Sequence, residues 1–217
     1  MSIKILLADD HEIVRFGLSS LIEEQEDMEI VGEVENGRNA IDYAQKLKPN
    51  VIIMDIAMPD MNGIEAARRI NKEYPDVRVV ILSMHYKKKF VIDALKAGVS
   101  GYILKTKVYD DLILAIKAAS AGEVYLSSKI ASILTHEIVG GLPIYEKSAY
   151  TVLTPREREV LQLISEGKST KESALHLKIS IKTVESTRRQ IMNKLDIHNV
   201  ADLTKYAISE GITSLDF

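Results

Sequence analysis

A chain of 217 residues, 46% apolar and 27% charged, is long enough for one large or two small cores and too apolar for a disordered protein. It holds no cysteine, which excludes disulfides, thiol catalysis and cysteine-held zinc or iron–sulfur sites and is compatible with an intracellular compartment. The net charge of −3 divides unevenly, −4 over residues 1–125 and +1 over residues 151–217, so nucleic-acid binding has to rest on a local patch.

The first residues, MSIKILLADDHE, meet two aspartates early, unlike a signal peptide. No apolar run approaches the length of a membrane span. Short β-branched or leucine-rich runs follow at Ile3–Ala8, Ile30–Val34, Val51–Met54, Arg78–Ser83 and Gly101–Leu104. Between them apolar residues recur at three- and four-residue spacing, as in Val14, Leu18, Leu21 and Ile22. Strands alternating with helices predict βαβ units and a parallel sheet. The runs VIIM and RVVIL are apolar on consecutive positions, as strands buried on both faces require.

The pattern changes after Gly122. Residues 127–139 read as one amphipathic helix, and GGLPIYEKSAY reads as a linker. From Thr154 onward only helices are expected. Thr154, Pro155 and Glu157 form a capping-box start, and Gly167 ends that helix. Ser169 or Thr170 caps a helix near 171–177, Ser180 caps 181–194, and Asn199 caps 200–210 before Gly211.

Parallel α/β sheets bind ligands at the carboxyl ends of their strands. There the first strand ends in Asp9 and Asp10, the third in Asp55 and the fourth in Ser83, while the fifth leads into Lys105. Any one aspartate alone is an ordinary turn or cap residue. Together, three repelling carboxylates call for a cation, and hard oxygen ligands suit Mg²⁺. A metal with Lys105 would clamp a phosphoryl group that one aspartate accepts as nucleophile.

Residues 1–122 resemble a response-regulator receiver domain through ADDH, IIMDIAMPDMNG, the strand-end Ser83 and GYILK. The resemblance implies a flavodoxin-like, doubly wound five-stranded parallel sheet of order 2-1-3-4-5. It implies Asp55 as phosphoacceptor, and Mg²⁺ on Asp9, Asp10, Asp55 and the Ala57 carbonyl. Ser83 and Lys105 would grip the phosphoryl oxygens, and Tyr102 would be an aromatic switch; read without the family, Tyr102 is a core or rim aromatic. His85 borders the site, and Lys87, Lys88 and Lys89 read as a solvated charge run.

On a helix over 181–195, Val184, Thr187, Arg188, Ile191 and Leu195 form an inward stripe, leaving Lys182, Glu185, Ser186, Arg189 and Asn193 opposite. Cations with short polar side chains suit a helix in a major groove, although many surface helices are equally basic. Residues 151–211 resemble the DNA-binding domain of the LuxR/FixJ class through LTPREREVLQLISEG, KSTKE and SIKTVESTRRQIMNKL. By that resemblance this small all-α helix-turn-helix domain contacts the groove through Lys182, Glu185, Ser186 and Arg189, and phosphates through Thr170, Thr183, Arg188 and Lys194. Thr187 stands where histidine is frequent, Ser173 where an apolar residue is usual, and Glu185 where some members have lysine. The last helix, with Val200, Leu203, Tyr206 and Ala207, is a dimer contact or simply core.

Together the two resemblances imply a cytoplasmic NarL/FixJ-type regulator divided as 1–122, a linker 123–150 and 151–217. Its expected partners are a sensor histidine kinase, promoter double-stranded DNA, a second copy on phosphorylation and RNA polymerase, with no membrane. Two other readings stand beside it. One is DNA binding independent of phosphorylation. The other is an aspartate-nucleophile phosphatase, which needs a second carboxylate two residues past Asp55, where this chain has Ala57.

Overall fold

The computed structural model describes residues 2–140 and 148–214. Residues 141–147 of the expected linker lie outside them.

The strands are β1 (Ile3–Ala8), β2 (Met28–Val34), β3 (Val51–Asp55), β4 (Arg78–Ser83), β5 (Gly101–Leu104) and β6 (Tyr125–Leu126). They form one sheet of order β2-β1-β3-β4-β5-β6 with every pair parallel. The expected five strands and their order are present. The sixth is a two-residue edge strand, pairing Tyr125 with Gly101 and Leu126 with Tyr102. It escapes a reading by apolar runs because it is too short to make one and only half-buried.

Helices α1 (Glu12–Glu23), α2 (Gly37–Leu47), α3 (Gly63–Glu73), α4 (Lys88–Lys96) and α5 (Val108–Ser120) cover both faces. Each face therefore has its own core. Ile52, Met54, Ile64, Ile81 and Tyr102 belong to one, and Ile5, Leu7, Ile53, Leu82 and Ile116 to the other. Strand β3 is buried at all five positions, which is why VIIM carries no polar alternation. A further helix, α6 (Ser128–Gly140), runs close to the expected 127–139, and its Ile130 joins the first core.

The C-terminal part is helical, as expected: α7 (Ala149–Val152), α8 (Pro155–Ser165), α9 (Thr170–His176), α10 (Ile181–Leu195) and α11 (Val200–Ser209). Short α7 spans residue 151, and Ala149 is fully buried in the helical core, so that core reaches back before the expected boundary. The caps follow the local chemistry. Thr154 with Glu157 and Ser169 with Glu172 form reciprocal capping boxes, while Ser180 and Asn199 cap α10 and α11. Of the two candidates at the start of α9, Ser169 is the cap and Thr170 the first helical residue.

Helix α8 is buried by two neighbours at once. Its apolar Val160, Leu161 and Leu163 face the helical core. Its polar Arg158, Glu159 and Gln162 are also buried, against the α/β part. Arg158 donates through Nε and Nη2 to Glu65 Oε2 at 3.0 and 2.6 Å. Gln162 accepts from the Asn62 backbone at 3.0 Å and donates to the Met58 carbonyl at 2.9 Å. Glu159 pairs with Arg69 and Arg38.

Gly63 opens α3 against the end of β3. A Cβ there would overlap the Asp55 carbonyl oxygen, which cannot move without displacing the strand end. Gly63→Ala is expected to destabilise the protein by about 1–3 kcal/mol through overpacking, read as a lower urea midpoint at unchanged m-value.

Candidate functional site

The carboxyl edge of the sheet brings together the residues at the ends of β1, β3, β4 and β5. Asp9 and Asp55 are almost fully buried, and Asp10 is half-buried. Lys105 Nζ lies 2.7 Å from Asp9 Oδ2 and 3.1 Å from Asp55 Oδ2. Asp55 Oδ1 accepts the Ile56 N–H at 2.8 Å. Burial pushes the Asp55 carboxyl up to about 6; the Lys105 ammonium opposes that shift and the Asp9 charge adds to it. For Lys105 burial acts downward, but Asp55 and Asp9 outweigh it and raise the ammonium above its usual range.

Ligand atoms of Asp9, Asp10, His11 and Asp55 lie within 4.8 Å of one another. The donor set fits a hard divalent cation: carboxylate oxygens at a partly open edge, already needing positive charge. His11 was not among the expected ligands. Its ring Nδ1 stands 2.8 Å from Asp10 Oδ1 and 3.3 Å from Asp9 Oδ1, and its backbone N–H donates to Asp9 Oδ1 at 2.9 Å. The sequence signal was its place directly after the aspartate pair.

Ser83 is fully buried at the end of β4, and its Oγ accepts the His85 N–H at 3.1 Å. Tyr102 is also fully buried, and its hydroxyl donates to the His85 carbonyl at 2.6 Å. The aromatic already sits inward, so any outward rotation must first break that bond. Ala57 lines the same cavity as Asp55, Ser83 and Lys105.

Arg15 supports the same edge from behind. It is buried on α1, donates to the Asp9 carbonyl at 2.6 Å and pairs with Glu33 and Glu35. It holds the backbone from which Asp9 projects. A charge at the helical spacing of Leu18 and Ile22 was the available signal.

The second group lies on α9 and α10. Val184, Thr187 and Ile191 face inward as expected, and Leu195 is half-buried. Lys182, Thr183, Ser186 and Arg189 are exposed on the other face; Glu185, Arg188 and Thr170 are half-buried. Lys194 is exposed but paired with Glu157 at 2.8 Å, and Ser186 Oγ donates to the Thr183 carbonyl at 2.9 Å. Ser173 is wholly buried, and among the described residues its hydroxyl has no hydrogen-bond partner, which suits the apolar residue usual at this position.

The contact expected on α11 needs correction. Leu203 and Ala207 face the helical core and are fully buried, which removes Leu203 as a surface contact. Tyr206 is half-buried, packed against that core, and only Val200 is exposed at 43%.

An α/β unit with an acidic carboxyl edge, joined to a helix-turn-helix with a free second helix, defines a two-domain DNA-binding transcription regulator. Residues 5–117 match the response regulator receiver domain family, and residues 151–207 match the bacterial regulatory proteins of the luxR family. The chain belongs to the response regulators with a LuxR-type DNA-binding domain. It is 38% identical over 212 residues to the response regulator protein VraR of Staphylococcus epidermidis, and equally to that of Staphylococcus aureus, covering 98% of this chain and 99% of each. It is similar to Salmonella enterica serovar Typhimurium RcsB bound to promoter P1flhDC in the presence of phosphomimetic BeF3⁻, with 30% identity, TM-score 0.63, and 96% and 100% of the two chains covered. A second RcsB–DNA complex matches at TM-score 0.60 and 30% identity over 96% of this chain and 99% of that one. Among the described residues no helix is long and apolar enough to cross a membrane.

Among the described residues, Lys105 is the ammonium shared by Asp9 and Asp55. Lys105→Ala is expected to lower stability by about 1–3 kcal/mol, less than a fully enclosed pair loses because the edge opens to solvent. Added Mg²⁺ is expected to raise the melting temperature of this variant more than that of the wild type, read by thermal unfolding with and without the ion.

Proposed function

We propose that this protein accepts a phosphoryl group on Asp55 from a sensor histidine kinase and, so modified, binds promoter DNA as a dimer. The observation that carries this reading is the burial of Asp55 at a strand end with Lys105 Nζ 3.1 Å away and the Ser83 hydroxyl on the adjoining strand. A carboxylate held there in the charged form is a nucleophile aimed into an open cavity. Asp9, Asp10, Asp55 and the Ala57 carbonyl would hold Mg²⁺, which when bound supplies charge neutralisation for the phosphoryl oxygens.

Asp55 Oδ2 attacks phosphorus, and the donor nitrogen leaves with the bonding pair. Lys105, released from the Asp55 charge, follows the negative charge onto the phosphoryl oxygens. Ser83 can donate its hydroxyl to the same group, and the loop carrying His85 and Tyr102 is the element that moves with it. Ala57 offers neither acid nor base, so the acyl phosphate lacks the catalyst for rapid turnover. The exposed face of α10 carries Lys182, Thr183, Ser186 and Arg189 toward a major groove, with Glu185 and Arg188 at its edge and Thr170 and Lys194 flanking. RcsB is described as bound to promoter DNA and as dimers on DNA, which supports the same output here. The exposed Val200 and half-buried Tyr206 of α11 are the proposed pairing residues.

The exposure of α10 also favours a second reading, in which DNA is bound without phosphorylation. The two separate on one comparison. Purified protein, Mg²⁺ and phosphoramidate should give a single phosphoryl adduct by intact mass that Asp55→Asn abolishes, together with growth toward a dimer by light scattering. An Asp55→Asn footprint equal to that of phosphorylated wild type would favour the second reading. Arg189→Ala is expected to cost about 1–3 kcal/mol of DNA affinity with relaxed sequence preference, whereas Arg188→Ala is expected to lower the salt slope by about 1, both read by titration across salt concentrations.

A further inference from the structure

The cavity above Asp55 is not bounded by the receiver alone. Its volume is about 510 Å³, and one wall carries Asp55, Ser83 and His85, while Ile208, Thr213 and Ser214 from the DNA-binding domain form the other. Thr213 is 4% exposed, and its hydroxyl has no hydrogen-bond partner among the described residues. A polar group buried that deeply is otherwise expected to be paired.

This wall is seated on the β4–α4 region. Glu210 is buried and pairs with Lys89 on α4, while its Oε2 accepts the Ala149 N–H at 2.5 Å. Gly211, at φ +66°, lies so close to the Phe90 ring that a Cβ would overlap it. Phe90 in turn packs on the His85 ring at 4.8 Å between centroids, and His85 N–H bonds Ser83 Oγ. The Lys87–Lys89 run, read as solvated, therefore supplies one interdomain ion pair.

We propose that residues 208–214 are a roof over Asp55 that, while the domains are closed, admits small phosphoryl donors and excludes a donor histidine carried on a polypeptide. The inference rests on Asp55 being the phosphoacceptor. A docked protein donor must bury on the order of 800 Å² around Asp55, and the roof occupies the β4–α4 side of that face. A donor of a few atoms needs only the cavity. In both cases a P–O bond forms to Asp55 and a P–N bond breaks. The nitrogen keeps the pair, leaving as ammonia from phosphoramidate or as neutral imidazole from a phosphohistidine protonated on its other ring nitrogen.

The test compares full-length wild type, Glu210→Gln and Lys89→Ala, each with Mg²⁺, using phosphoramidate and a helical peptide bearing one phosphohistidine. Intact mass gives the two initial rates. Loss of the Lys89–Glu210 pair is expected to raise the peptide-to-phosphoramidate rate ratio by about fivefold or more, with the phosphoramidate rate nearly constant. Lys89→Ala removes the same pair from the receiver side and guards against a folding defect in Glu210→Gln; circular dichroism confirms both folds. A ratio that stays at the wild-type value in both folded variants overturns the roof. Absence of any adduct with phosphoramidate in all three proteins overturns the phosphoacceptor reading instead.

Discussion

Two buried carboxylates sharing one ammonium set the terms for the rest of this molecule. Asp9 and Asp55 stand side by side because β1 and β3 are neighbours in the sheet, and neighbouring parallel strands deliver their last residues to the same edge. Their repulsion is tolerable only with positive charge between them, and Lys105 supplies it from the end of β5. The arrangement is poised because the compensation is partial: burial still raises Asp55 to about 6. A site balanced this way responds to whatever changes its charge, whether a cation or a group attached to Asp55.

The contact between the two domains has a different chemistry from the cores on either side of it. Each core is apolar, whereas the contact includes buried polar pairs: Arg158 on Glu65, Gln162 on the Met58 carbonyl and Asn62 backbone, and Glu159 between Arg38 and Arg69. Buried ion pairs contribute little net stability against the cost of desolvating them, but breaking one by removing a partner is costly. Such an interface selects one docking geometry without fusing the domains. It is placed on α7, α8, the end of α9 and the end of α11, and it leaves the outer face of α10 exposed.

Most of the fold was legible because its determinants are local. Consecutive apolar residues marked β3 and β4, and Thr154, Ser180 and Asn199 marked helix starts by side-chain chemistry that operates within three residues. The acidic cluster was legible for a less local reason, the rule that parallel strands share a functional edge. The rest depended on long-range pairing. Arg158 meets Glu65 across 93 positions and Lys89 meets Glu210 across 121, and neither partner is marked in sequence. Leu203 shows the converse limit. An apolar stripe on a terminal helix fits a core and an interface equally, and only packing on the helical core decided it.

The exposed α10 and the seated end of α11 constrain how the two domains can communicate. A DNA duplex that touched only the outer face of α10 would bind open and closed forms alike, and a ligand with equal affinity for two states shifts neither. Coupling to Asp55 must then enter where the closed form is obstructed, at the turn from Glu210 to Gly211 that rests on Lys89 and Phe90. The proposed pairing of two chains uses Val200 and Tyr206 of α11, the helix that ends at this turn. By linkage, whatever pairing gains from a phosphoryl group on Asp55, the phosphoryl group gains from pairing. On the proposed reading, DNA would act on the acidic edge by holding two chains together, not by contact with a single recognition helix.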